Sequence, residues 1–404
     1  MEKRVIYKSY KFRLYPEDKD KELLSQHFGH CRFIYNYFLK EKQDFYLKYK
    51  KTLNYNNCST TLTDLKKQKE YSWLKDVNSQ SLQQSLKHLE TAFGKFFKKE
   101  AKFPVYKSKH SFNSFSVPQN INIIGNRIFI PKFKQGIRFV KHRDIKGTIC
   151  SATVSLNPSG RYFVSILTKQ EIEINEPSKN PKVIGIDLGI KDFLITSDGS
   201  KFPSLKFQRK YQTKLSKLQK HLSRKSKTCN SKKRSILKQK IAKLHEKIAN
   251  SREYMQHCIS KHLITENDII CLETLSVKNM MKNYKLAYSI NDASWASFVS
   301  KLEYKAGWNG KDIAKIEHFF PSSKTCNDCG YINKSLKLKD RTWICPKCGK
   351  VLDRDINAAK NILNRGLTII LSSATDDYRH GAEIRLALSN SPNASISEEV
   401  SKID

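Results

Sequence analysis

With 404 residues, 39% hydrophobic content and 11% aromatics, the chain has material for two or three packed domains, which excludes a disordered basic tail. Its 75 lysines and arginines stand against 38 acidic residues, a formal net charge of +37. Solubility needs a net charge of only ~2 to 8 on a small domain, so this field calls for a polyanion partner; a membrane partner is not expected, since neither a long apolar run nor an amphipathic anchor is present.

The N-terminus MEKRVIYKSYK goes straight into alternation without a signal-peptide core, so the expected location is cytoplasmic, or nuclear in a eukaryote. Ile6, Tyr10, Phe12 and Leu14 share one face of a predicted strand that stops at Pro16. From Lys19 to about Lys50, Leu24, Phe28, Cys31 and Phe38 recur at helical spacing. A second helix carrying Leu82, Leu86, Leu89, Phe93 and Phe97 starts after the capping candidates Asn78 and Ser79. Residues 17–105 therefore read as a lysine-coated helical module. Between about 112 and 170, the stretches IIGNRIFIP, KFKQGIRFV and VSLNPSGRYFVSIL read as short strands parted by turns. Together with the N-terminal strand they predict a small β-barrel over 1–16 and 106–178.

A third region opens at PKVIGIDLGIKDFLITSDG, with Val183 to Asp187 as a buried strand and Phe193 to Thr196 as its hairpin partner. Two basic helices follow, stepping along Tyr211, Leu215, Leu218, Leu222 and along Leu237, Ile241, Leu244, Ile248, joined by SRKSKTCNSKKR. DIICLETL (268–275) and DIAKIEHFF (312–320) read as further buried strands. From about Ser372 the chain turns polar and serine-rich, and 372–404 is expected to be a disordered, dispensable tail.

Cys326 and Cys329, then fifteen residues, then Cys345 and Cys348 form two C-x2-C pairs, each followed by glycine. Four thiolates so spaced make a closed tetrahedral site for structural Zn²⁺, with no open position for catalysis; a redox dithiol would need only one pair. The other cysteines (Cys31, Cys58, Cys150, Cys229, Cys258, Cys271) are scattered singly and read as small buried hydrophobes. Three carboxylates are the catalytic candidates. Asp187 and Glu273 end buried strands, and Asp355 opens the helix INAAKNIL, which Gly366 is expected to terminate. Alone, each reads as a turn former or an N-cap. Together, two central strands and a helix start delivering three acids is how a ribonuclease-H-like fold clusters oxygens for Mg²⁺, two ions being expected. IGIDLG also suggests the first phosphate loop of actin-like ATPases, but Ile190 and Lys191 stand where a hydroxyl residue usually follows, and no second glycine-rich phosphate loop is evident.

KFRLYP, IGIDLGIKDF, ICLETLSVKNM, LEYKAGWNGK, FFPSSKTCNDCGY, LKLKDRTWICPKCG and DRDINAAKNIL occur in the order seen in TnpB proteins of insertion sequences, relatives of the type V CRISPR effectors, and over residues 1–366 the chain resembles that family. The resemblance implies an RNA-guided DNA endonuclease, directed by a transposon-encoded guide RNA to double-stranded DNA beside a short flanking motif and cutting with one RuvC-like centre at Asp187, Glu273 and Asp355. It further implies an α+β multidomain protein: a wedge-like barrel (1–16, 106–178), a recognition domain (17–105), a RuvC-like nuclease domain (179–320, 350–371) and an inserted zinc ribbon (321–349). The expected setting is a prokaryotic, nucleoid-associated monomer or weak dimer; a transposase and a guided repressor without cleavage are the alternatives. Gln80, Gln83 and Gln84, near the start of the second helix, are candidates for reading the flanking motif because glutamine pairs bidentately with adenine in a major groove; an ordinary polar helix face is the competing reading.

Overall fold

The computed structural model describes residues 2–110, 112–225, 232–337, 339–372, 378 and 380. It divides into two compact units, Val5–Glu171 and Met1–Arg4 with Ile172–Asp404. Among the described residues, no helix is long and apolar enough to cross a membrane.

In the unit Val5–Glu171, β1 (Glu2–Tyr15) is followed by α1 (Asp18–Tyr49), α2 (Tyr55–Leu65), a 3-10 segment (Lys69–Lys75) and α3 (Ser79–Phe97). Strands β2 (Asn113–Val117), β3 (Asn122–Ile124), β4 (Arg127–Phe129), β5 (Ile137–Phe139), β6 (Thr148–Leu156) and β7 (Tyr162–Ile174) follow. The alternation of the first strand holds: Ile6, Tyr10, Phe12 and Leu14 are buried, while Lys11 and Arg13 face water. Asn78 caps α3, its Oδ1 accepting from the Gln80 amide. The short helix α2 has no counterpart in the sequence reading; YNNCSTTLTDL is mostly polar and buries only Cys58, Leu62 and Leu65. One core joins strands and helices here, from Tyr10 and Phe12 through Leu24, Phe38 and Leu82 to Val154 and Ile166. The sheet order is β2-β6-β7-β1-β5-β4-β3, so β1 sits in the middle, inserted between strands that come late in the chain.

The second unit contains β8 (Val183–Leu188), β9 (Asp192–Thr196), β10 (Lys201–Pro203), α4 (Phe207–Ser223), α5 (Lys232–Glu266) and β11 (Ile269–Glu273). Then come α6 (Val277–Met280), α7 (Tyr284–Ala293), α8 (Trp295–Asn309), β12 (Asp312–Ile316), β13 (Thr342–Ile344), β14 (Val351–Asp353) and α9 (Arg354–Ser372). A mixed sheet runs β10-β9-β8-β11-β12, in which β8, β11 and β12 are parallel and β9 and β10 return antiparallel. Helices α4 and α5 pack along Leu215, Leu244 and Ile248, as their spacing predicts, and the joint 226–231 lies outside the described residues. Strand β12 stops at Ile316, four residues short of the expected Phe320, and His318 and Phe319 leave the sheet. Of the single cysteines, Cys31, Cys58 and Cys271 are buried as expected; Cys258 is exposed on α5, Cys150 is half-buried where the pairing of β6 with β7 shifts register between Ile149 and Ser151, and Cys229 lies outside the described residues. The tail reading for 372–404 also lies outside them, apart from Ser372, Tyr378 and His380. His380 is buried, its amide and ring donating to Asp312 Oδ2 at 2.7 and 2.9 Å.

Gly366 does not end a helix. It lies inside α9, and a Cβ there would fall 2.6 Å from Cys271 Cβ and collide with its sulfur, so the glycine exists to let α9 lie on β11. Gly185 does the same on β8: an added Cβ would run into the Ala359 carbonyl and lie 2.7 Å from Leu363 Cβ. Because backbone blocks the space, Gly185→Ala is expected to cost ~3 kcal/mol, at the upper end for overpacking. Urea denaturation checks it; an unchanged midpoint would mean that the helix and sheet are farther apart than described.

Candidate active site

The four predicted thiolates meet. Cys326, Cys329, Cys345 and Cys348 place their sulfurs within 4.8 Å of one another, with 3.7 Å between Cys326 and Cys348 and 3.5 Å between Cys329 and Cys345. A tetrahedral ion with Zn–S bonds of ~2.3 Å needs sulfurs about 3.8 Å apart, so the set fits Zn²⁺. Each knuckle closes on its glycine: Gly330 donates to the Cys326 carbonyl and Gly349 to that of Cys345, at φ of +70° and +72°, a conformation glycine adopts without strain. Strands β13 and β14 flank the second knuckle and pair antiparallel across it, β14 leading into α9, with Trp343 and Leu352 buried beside the sulfurs.

The ribbon is tied to the helix that follows it. Asn357 and Asn361, both buried on α9, donate to the Thr325 carbonyl at 2.6 Å, and the Asn327 amide donates back to Asn357 Oδ1 at 2.9 Å.

The three acids also converge. Asp187 near the end of β8, Glu273 at the end of the neighbouring β11 and Asp355 in the first turn of α9 line one cavity of about 1030 Å³, which Lys191, Arg209, His318, Phe319, Lys324 and Arg341 share. They come together because α9 crosses β8 where Gly185 permits it, two residues before Asp187. Burial first, then the charges of Glu273 and Asp355, pushes the Asp187 carboxyl up to about 7. Burial also raises Glu273, against the pull of His318. The buried Asp187 carboxylate, with those of Glu273 and Asp355 in the same cavity, supplies hard oxygen donors of the kind a divalent cation takes, and the residues fit Mg²⁺ in that sense. Among the described residues, only the cysteine group brings three or more such ligand atoms within 4.8 Å of one another, so the acids form the more open set.

The neighbour Asp353 is employed otherwise. Its Oδ1 accepts from the amides of Asp355 and Ile356 at 3.0 and 3.1 Å, capping α9, and its Oδ2 meets Lys201 Nζ at 2.8 Å. Burial opposes its charge, but these donors hold the carboxyl below the usual range. Arg341, inside the LKDRTWIC stretch yet not singled out by sequence reasoning, donates to both oxygens of Asp355 at 3.3 and 3.1 Å. No local pattern marks such an arginine; only the fold brings the ribbon loop over the helix start.

Gln80, Gln83 and Gln84 lie half-buried in the first turns of α3, in the unit Val5–Glu171. Gln80 Oε1 is buried and has no hydrogen-bond partner among the described residues.

A mixed α/β multidomain chain with a four-thiolate ribbon before a carboxylate-bearing helix is the class that fold and site define. Family models match it in three stretches: "Helix-turn-helix domain" of the OrfB group at 1–51, "Probable transposase" at 165–284 and "Cas12f1-like, TNB domain" at 295–362. The first description does not suit the local structure, which is the strand β1 and the single helix α1. A Streptomyces pristinaespiralis protein named "Putative RNA-guided DNA endonuclease" is 35% identical over 90% of either chain. The Escherichia coli K12 protein "Putative RNA-guided DNA endonuclease InsQ" is 32% identical over 90% of this chain and 93% of its own length. Among solved structures, a Cas12f1–sgRNA–target DNA complex aligns over 89% of this chain and 99% of that one at 16% identity and a TM-score of 0.35, a likeness too slight to carry an argument. The chain belongs to the TnpB family of these insertion-sequence proteins.

Proposed function

We propose that the chain is an RNA-guided DNA endonuclease of a transposable element, cutting double-stranded DNA beside a short flanking motif at the Asp187–Glu273–Asp355 site. The observation that carries the reading is the convergence of these acids, from two parallel strands and a helix start, in one cavity lined by cations. The relatives' names support it, and the order β10-β9-β8-β11-β12 with its antiparallel return supports a ribonuclease-H-like, RuvC-type domain. We read the seven-stranded sheet as the wedge barrel and the helices before it as the recognition domain. Mg²⁺ held by the three acids would stabilise the attacking and leaving oxygens of a phosphodiester. Lys191, Arg209 and Lys324 draw the phosphate backbone into the cavity, and Arg341 offsets the charge of Asp355. The zinc site organises the ribbon, and Gln80, Gln83 and Gln84 are assigned to the flanking motif.

Purifying the protein from its own locus and sequencing the RNA that accompanies it tests the reading; one discrete RNA encoded beside the gene is expected, and random cellular RNA would oppose it. The charge of +37 also implies that affinity for this RNA falls steeply with salt, in a log-log slope of several units. A flat slope would show that the lysines are merely solvated.

A further inference from the structure

A second cavity, within the unit Val5–Glu171, is walled by two stretches in which aromatic and basic residues interleave: DFYLKYKK (44–51) at the end of α1 and KFFKKEAKF (95–103) at the end of α3. Its volume is about 660 Å³, and Tyr46, Leu47, Phe93, Phe96, Phe97 and Phe103 line it. These rings do not close into a core. Phe97 is 64% exposed, Tyr46 51% and Phe103 41%, although elsewhere in this unit phenylalanines such as Phe12, Phe38 and Phe139 are fully covered.

The platform is formed in advance. Phe103 stands edge-on to Phe93 at 5.5 Å and to Phe96 at 5.2 Å, which fixes the rings around the opening. Polar groups are set among them: Glu90 Oε2 accepts from Lys42 Nζ at 2.7 Å, and Gln43 Oε1 accepts from the Tyr106 hydroxyl at 2.8 Å. The same two stretches expose Lys48, Lys50, Lys51, Lys95, Lys98 and Lys102. Flat apolar faces, a few fixed acceptors and donors, and a cationic margin match the chemistry of an unstacked base with phosphates on either side. A second copy of the chain would bring the same lysines to the contact and be repelled. A DNA duplex offers no free ring face without extrusion of a base, whereas a folded RNA presents unpaired bases in its loops and bulges.

We propose that this pocket holds an unpaired nucleobase of the RNA the protein carries, stacked on Phe97 and Phe103, with the flanking phosphates on the lysines of both stretches. The inference rests on the RNA-binding reading above and adds a site to it.

The test is photocrosslinking of full-length protein expressed with its RNA in cells fed 4-thiouridine, followed by peptide mapping. Adducts are expected on peptides spanning 44–54 or 95–106. Replacing both rings, F97A/F103A, is expected to weaken RNA binding about tenfold or more while leaving the salt slope unchanged, since no cation is removed. Phe97→Trp keeps a stacking face and is expected to retain affinity, which separates stacking from mere loss of packing. Adducts confined to other peptides, or full affinity in F97A/F103A, would overturn the pocket while leaving RNA binding in place. A concentration-dependent dimer lost in the same variant would overturn it in favour of a second copy. Wild-type protein that carries no RNA would overturn the underlying reading as well.

Discussion

Asp355→Ala is expected to lower target cleavage by on the order of 10² to 10³-fold or more while keeping RNA and DNA binding, whereas Asp353→Ala keeps most of the cleavage. The two residues are separated by one position and by everything about their surroundings. Asp355 lines the cavity with Asp187 and Glu273 and takes its counter-charge from Arg341. Asp353 is turned to the backbone, where it caps α9 through two amides and pairs with Lys201. Removing a carboxylate that holds a metal takes away transition-state stabilisation, while removing a cap costs about 1 kcal/mol of stability. Single-turnover cleavage by both variants with a matched guide measures the difference. An inactive Asp353→Ala beside an active Asp355→Ala would reverse the assignment.

Cys345→Ser is expected to have the second large effect, on metal content, stability and activity together. Structural zinc sites contribute on the order of 10 kcal/mol to the folding of small metal domains, and the ribbon core here is little more than Trp343 and Leu352 against the sulfurs. The loss does not stay in the ribbon. Asn357 and Asn361 bind the first knuckle through Thr325, and Arg341 of the ribbon reaches Asp355, so a disordered knuckle frees the start of α9. The expected result is less than one zinc per chain by elemental analysis, a lower melting temperature and reduced cleavage. Full activity in zinc-free protein would show that the ribbon is not needed to place Asp355.

What the sequence revealed is what local physics determines. Alternation placed β1, the Asn78 cap placed the start of α3, and the C-x2-C spacing placed the two halves of the four-thiolate cluster, because each depends on residues a few positions apart. The helices α6 to α8 and the short α2 went unread, being brief or weakly periodic and defined by what they pack on. Gly366 shows the limit well. Near the end of a helical run a glycine reads as a terminator, but contact with Cys271, almost a hundred residues earlier, is what requires it, and no neighbour in the chain signals that. Likewise the three acids were visible one by one, each with an ordinary alternative, and Arg341 was not visible as a partner at all. Its role exists only once β13 and β14 fold the ribbon loop back over α9.

If one acidic centre cuts DNA where an RNA directs it, replacing the targeting segment of the co-purified RNA redirects the cut. With plasmids that carry either the old or the new matching site beside the flanking motif, assayed in Mg²⁺, cleavage is expected to move with the RNA to the new site and to vanish in Asp187→Ala. Cutting that ignores the change of RNA, or that persists in Asp187→Ala, would rule out RNA-directed cleavage at these acids.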